Sequence, residues 1–233
     1  LAPEWKASAE RNVANGPAGA ALLKAAESEH VDLIAVGFRG AGLFERFMLG
    51  SVSRAVVQSA TVPVLIVKCD PGEQSAPNEP LRVLSAYDGP EMGGRIAAAA
   101  NQIAWPSDTT GWVMTVVPPM FVADLPDWLQ PITRDDDVRA MAEAWQKEYD
   151  EQIDESVQEL RDFAGQLPEC FRGNEPVVAG GHPGDKILET VRQLGIGLVI
   201  VGNRGRGGVT RLLIGSTSAD VISGAPCSVL VVR

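Results

Sequence analysis

The chain's 233 residues suit one large or two small domains, and a hydrophobic content of 45% is ample for a packed core. A formal net charge of −10 argues against a nucleic-acid partner, which wants a basic face. No apolar run approaches the roughly 18 residues of a membrane span and no leader pattern is visible, so a cytoplasmic protein without membrane contact is expected. Cys69, Cys170 and Cys227 lack CxxC spacing, which fits a reducing cytosol and gives no metal site. His30 and His182 stand far apart in sequence, beside no carboxylate cluster, and read as surface or turn positions.

In chain order, strands and helices alternate. A short strand is expected near Arg11–Ala14, then a helix over Ala18–Glu29, a strand over Val31–Gly37, a helix over Val52–Ser59 and a strand over Val62–Val67. Residues 68–80 collect proline, glycine and small polar residues, the mark of a linker. A second series opens with the strand Leu81–Tyr87, which ends at Asp88-Gly89-Pro90, followed by the helix Glu91–Ala104 and the strand Gly111–Val117. Pro118–Pro131 carries Phe121 and Trp128 and reads either as a surface loop packing its own aromatics or as a lid.

A long helix is expected over Arg134–Phe163, with Val138, Met141, Trp145, Tyr149, Ile153, Val157 and Leu160 on one buried stripe. That stretch carries 11 acidic against four basic residues, which reads as a solvated face. The strand Glu175–Ala179, a turn over Gly180–Asp185, the helix Lys186–Leu194 and the strand Leu198–Val201 follow. A helix over Ser216–Ser223 and a strand over Val229–Val232 close the chain.

Gly202-Asn203-Arg204-Gly205 follows a buried strand, and Gly215-Ser216-Thr217-Ser218 opens a helix whose N-cap is expected to be Ser or Thr. A strand, a glycine loop and a helix start make an anion site: the backbone approaches closely, amides point at the ligand and the helix dipole favours negative charge. Ser216 and Thr217 would add hydroxyl donors. Arg204, Arg206 and Arg211 flank the loop, either reaching a phosphate or standing in solvent.

The same pattern occurs earlier, as Gly37-Phe38-Arg39-Gly40 and Gly50-Ser51-Val52-Ser53, displaced by 165 residues throughout. At that offset Leu33–Val67 matches Leu198–Val232 without a gap, with 15 of 35 positions identical, which marks a duplicated unit. The expected organisation is residues 1–67 as part of a first domain, 68–80 as linker and 81–233 as a complete second domain. The offset sets Leu1 opposite position 166, so residues 81–165 have no counterpart in the first copy. The first copy is therefore expected to lack its opening strands, through truncation or because another chain supplies them.

These two G-x2-G-x9-G-S motifs resemble the nucleotide-binding branch of the universal stress protein family, and the resemblance covers nearly the whole chain. It implies a three-layer, Rossmann-like α/β sandwich of the adenine nucleotide alpha hydrolase kind, with a five-stranded parallel sheet ordered 3-2-1-4-5. Two tandem copies are implied, the first incomplete at its start. The implied ligand is ATP, ADP or AMP with Mg or Mn on its phosphates, bound in the second copy. Asp88, with Gly89 beside it, would meet the adenosine; the residues alone leave Asp88 equally a helix cap. Pro90 stands where the family usually has Ser. Val116 would line the adenine.

Gly202, Arg204, Gly205, Gly215, Ser216 and Thr217 would hold the phosphates. In the first copy Gly37, Gly40, Gly50 and Ser51 would offer a phosphate site without adenosine walls. The family uses its last strand to pair tandem halves or homodimers, and its role is regulation under stress. No Walker lysine and no placed general base are visible, so no catalytic residue is assigned and binding without rapid turnover is expected. The alternatives are a slow ATPase or nucleotide-transferring enzyme, and a nucleotide-free interaction module.

Overall fold

The computed structural model describes residues 10–38, 49–68, 79–117, 136–203 and 214–233. The first copy contributes α1 (Ala18–Ser28), β1 (Ile34–Gly37), α2 (Ser51–Ser59) and β2 (Val64–Val67). The second contributes β3 (Arg82–Ala86), α3 (Pro90–Asn101), β4 (Thr110–Val117), α4 (Asp136–Gln166), β5 (Val177–Gly180), α5 (Pro183–Leu194), β6 (Leu198–Gly202), α6 (Ser216–Gly224) and β7 (Ser228–Val232). Arg11–Ala14 is irregular rather than a strand, and Val13 is almost fully exposed there. The short 3-10 turn Glu169–Phe171, which buries Phe171, had no clear periodic signal.

All seven strands form one sheet in the order β1-β2-β7-β6-β3-β4-β5. Where a separate five-stranded sheet was expected for each copy, the described strands form a single sheet of seven, because β2 of the first copy adds to the edge strand β7 of the second. Within the second copy the five strands keep the order 3-2-1-4-5, read from β5 to β7. Every pairing is parallel except β2 with β7, where Val64 faces Val231, Leu65 faces Leu230 and Ile66 faces Val229. The 165-residue offset carries Leu65 onto Leu230, so the antiparallel pairing is a local pseudo-twofold join of like with like. It covers two edges that would otherwise present unpaired backbone groups.

Helices flank both faces. On one face α3 and the end of α4 bury Ile96, Ala100, Leu160 and Phe163 against Val83, Val113, Ile200 and Leu230. On the other, α2, α5 and α6 bury Val56, Ile187, Val191, Val221 and Ile222 against Leu84, Val199, Val229 and Val64. Neighbouring residues Val83 and Leu84 enter different cores, as the two-residue period of a strand requires. Along α4, Tyr149, Ile153 and Val157 are half-buried and Leu160 is fully buried, while Val138, Met141 and Trp145 lie outside the described side chains. Pro90 and Pro183 occupy first-turn positions, where a missing amide costs the helix nothing.

Candidate functional site

The carboxyl ends of the parallel strands β3, β4, β5, β6 and β7 share one edge of the sheet. The chain winds from β3 through β4 to β5 in one direction, then returns to place β6 on the other side of β3. That reversal sets the ends of β3 and β6 side by side, the position where open α/β sheets take ligands. Asp88 follows the end of β3 and is exposed; Gly202 ends β6 on the adjacent strand. Val116, near the end of β4, packs against the same core as α6 and so shares its face of the sheet. The structure therefore brings Asp88, Gly89, Val116, Gly202 and the start of α6 to one edge. Arg204, Gly205, Arg206 and Arg211, with Gly40 in the first copy, lie outside the described residues, as does Pro118–Pro131.

Two capping expectations are corrected. The N-cap of α6 is Gly215, at φ −59 and ψ 150, so Ser216 is the first helical residue and no side chain caps the helix. The N-cap of α3 is Gly89 at φ 92, a left-handed position that favours glycine, so the cap position falls one residue after Asp88. Likewise α5 starts at Pro183, three residues earlier than its apolar pattern implied, with His182 as N-cap. His182 Nδ1 lies 3.6 Å from the Asp185 carboxylate, both side chains well exposed.

The helix start is held by a small set of hydrogen bonds. The Gly215 amide donates to the Asn203 carbonyl at 2.8 Å, and the Asn203 amide donates to Val232 at 2.8 Å. The Ser218 hydroxyl, buried, donates to the Gly202 carbonyl at 2.5 Å. Together these bonds seat α6 on the end of β6. They also engage the Gly215 amide, so the amides directed outward are those of Ser216, Thr217 and Ser218, which have no carbonyl one turn earlier in the helix. Ser216 is exposed and Thr217 half-buried, leaving both at the rim.

Gly202 is needed for another reason. A Cβ there would come within 2.4 Å of Met92 Cγ and 2.7 Å of its sulfur, so the first turn of α3 closes on β6 at this residue. Sequence reasoning missed both Ser218 and Met92. The signal for Ser218 was present: the last Ser of G-S-x-S recurs in the first copy as Ser53, at the same distance from its glycine. Met92 gave none, because an apolar residue on an amphipathic helix is ordinary.

The first copy builds the same helix start. Gly50 caps α2 at φ −56 and ψ 151, its amide donates to the Phe38 carbonyl at 3.1 Å, and the Ser53 hydroxyl donates to the Gly37 carbonyl at 2.6 Å. Gly37, Gly50 and Ser51 are thus brought together.

A doubly wound α/β protein with a helix N-terminus at its strand reversal is the class that this geometry defines. The chain belongs to the universal stress protein family, whose model matches residues 2–68 and 81–233. It is similar to universal stress proteins of Mycolicibacterium smegmatis, 28% identical over 206 residues, and of Mycobacterium tuberculosis, 27% identical over 208. Each match covers 88% of this chain, which spans only 63% and 60% of those relatives' lengths. Among solved structures, a universal stress protein of Archaeoglobus fulgidus superposes with a TM-score of 0.51 at 27% identity, covering 92% of this chain and 64% of that one. A putative universal stress protein of Pseudomonas aeruginosa has the same fold, with a TM-score of 0.60 at 18% identity over 94% of this chain and 69% of that one.

Among the described residues no helix is long and apolar enough to cross a membrane, and no three His, Cys, Asp or Glu side chains form a metal site.

Proposed function

We propose that this protein binds an adenine nucleotide (ATP, ADP or AMP) in its second copy and acts as a cytoplasmic regulatory module under stress. The observation that carries the reading is the start of α6, fixed to the end of β6 beside the Asp88 end of β3. The outward amides of Ser216, Thr217 and Ser218 and the dipole of α6 suit phosphate oxygens. Hydroxyls of Ser216 and Thr217 would complete that end, with Arg204 and Gly205 joining them as the motif implies, and Asp88 and Val116 would take the adenosine. The donor set fits a polyanion. A Mg or Mn ion would ride on the phosphates and neutralise their charge.

Turnover is expected to be slow. Amides that stabilise bound substrate and transition state alike do not raise a chemical rate, and no described carboxylate or histidine is assigned to activating water. The slow ATPase is therefore the second reading, tested by phosphate release under saturating ATP and magnesium.

The decisive experiment is calorimetric titration of nucleotide-free protein with ATP, comparing the wild type with Ser216→Pro. Proline suits this first helical position, and Gly215 already holds the extended conformation that must precede a proline. The substitution deletes one amide and one hydroxyl while keeping the helix. Charged hydrogen bonds carry about 1.5–3 kcal/mol each, so affinity should fall at least about tenfold. No heat at millimolar ATP, or unchanged affinity in Ser216→Pro, overturns the assignment.

A further inference from the structure

The residue after each copy's last strand reaches into the other copy. Lys68 follows β2, and its ammonium donates to the carbonyl of Ala225, the C-cap of α6, at 2.6 Å. Its backbone amide donates to Ser228 Oγ at 3.2 Å, and its ammonium stands 4.2 Å from the centre of the Phe38 ring. Arg233 occupies the equivalent position after β7, and its guanidinium donates to the Val57 carbonyl in the last turn of α2. Two cations thus sit at the carboxyl ends of two helices whose amino ends are the glycine-serine starts. Each cation comes from the opposite copy.

We propose that Lys68 is a positioning residue for the anion site at the start of α6, so that the first copy sets the second copy's affinity for nucleotide. This rests on the nucleotide reading above. The reasoning is mechanical. Nine residues make α6 about 14 Å long, a rigid rod of two and a half turns. At that distance, beyond a Debye length of about 8 Å, direct attraction between the ammonium and a phosphate is largely screened.

What remains is the local effect. A cation at a helix C-terminus offsets the partial negative charge of the last carbonyls and holds that end of the rod. The amino end of the rod carries the Ser216, Thr217 and Ser218 amides, so tilting or fraying α6 misplaces them. Phe38 ties the other side of the brace to the first copy's helix start, because its carbonyl accepts the Gly50 amide. Lys68 therefore touches the pivot of one site and the foot of the other.

The test uses the full chain with Lys68→Met, which keeps the apolar stem, and Lys68→Arg, which restores the charge. Two readouts are taken: hydrogen exchange of the α6 amides against those of α5, and ATP affinity by calorimetry. Lys68→Met should speed exchange in α6 by about three- to tenfold, leave α5 unchanged and weaken ATP by a similar factor, the range of a partly buried C-terminal cation. Lys68→Arg should restore both. Unchanged α6 exchange, or equal acceleration in α5, overturns the brace. Faster α6 exchange with unchanged ATP affinity overturns the positioning role. A wild type that takes no ATP overturns the nucleotide reading and this role with it, while the exchange data still decide the brace.

Discussion

The two copies of the repeat share their backbone devices and differ in what surrounds them. Gly16 and Gly181 both hold positive φ, at 115 and 134, just ahead of α1 and α5. Gly19 and Gly184 both let these helices approach their neighbours: a Cβ would stand 3.0 Å from the Ala55 Cβ in the first copy and 2.9 Å from the Asp220 Cβ in the second. Both helix starts use a glycine N-cap and a serine hydroxyl on the strand-end carbonyl. The contrast lies at the motif strand. β6 has β3 and Asp88 beside it, whereas the described strands place β1 at the end of the sheet, next to β2 alone. On the proposed reading, a helix start suited to an anion is separable from a site that would hold a whole nucleotide. Both copies have the first, and among the described strands only the second copy sets another strand of its own on the far side of the motif strand.

The largest effect that would sharpen this comparison is at alkaline pH. Cys227 stands where the first copy has Val62, and burial pushes its thiol from an ordinary 9.0 up to about 11, with partial relief from Lys68. The native state then keeps a proton that the unfolded chain releases. Stability from this group is complete below pH 9 and falls as pH rises toward 11. At about 1.4 kcal/mol per unit the loss reaches about 2–3 kcal/mol. Urea unfolding of wild type and Cys227→Val between pH 8 and 11 measures it. The variant carries the first copy's side chain at this place and should lose that much less; parallel profiles would show that the thiol does not stay protonated.

A smaller effect separates helix seating from ligand binding. Ser218→Ala and Ser53→Ala each remove a hydroxyl from a strand-end carbonyl, and each should cost about 1–2 kcal/mol in chemical unfolding. Only Ser218→Ala should also weaken ATP, by several-fold, because Ser218 seats the helix that carries the donors. Equal loss of ATP affinity in both variants would mean that the first copy's helix start takes the nucleotide too.

Much of this was legible in the sequence, for identifiable reasons. β6 and β7 are apolar β-branched runs buried on both faces, and β2 is one with a buried and a half-buried face; such runs have few other outcomes. The glycine and serine spacings gave the helix starts because they are local. What the sequence did not show is where local rules meet tertiary context. Gly215 displaced Ser216 as the N-cap because the Asn203 carbonyl takes its amide, a partner 12 residues back that no capping pattern encodes. The seven-stranded sheet depends on which edge strands meet, and the Lys68 brace lies across that join. Neither has a periodic signature.

The smallest effect is the cleanest. His30 holds φ 52 at the end of α1, in the place that Gly195 fills at φ 60 after α5. Their hydrogen bonds match: His30 to Glu27 and Gly195 to Arg192, both at 3.4 Å, with Val31 to Ala26 and Ile196 to Val191 closing the turn. A side chain in the left-handed region costs about 1–2 kcal/mol. Glycine relieves that strain but has more freedom to lose on folding, roughly 0.5–1 kcal/mol. His30→Gly should therefore stabilise by about 0.5–1 kcal/mol, raising the melting temperature by about 2 °C in a chain of this size. Gly195→Ala should do the reverse by about 1 kcal/mol, from backbone strain alone, because its new Cβ meets only Arg82 Nη1 at an ordinary 3.5 Å. Thermal melts of the two variants check both signs at once. If His30→Gly melted lower, contacts of the imidazole would have to outweigh the strain, and the two helix ends would be alike in shape but not in energetics.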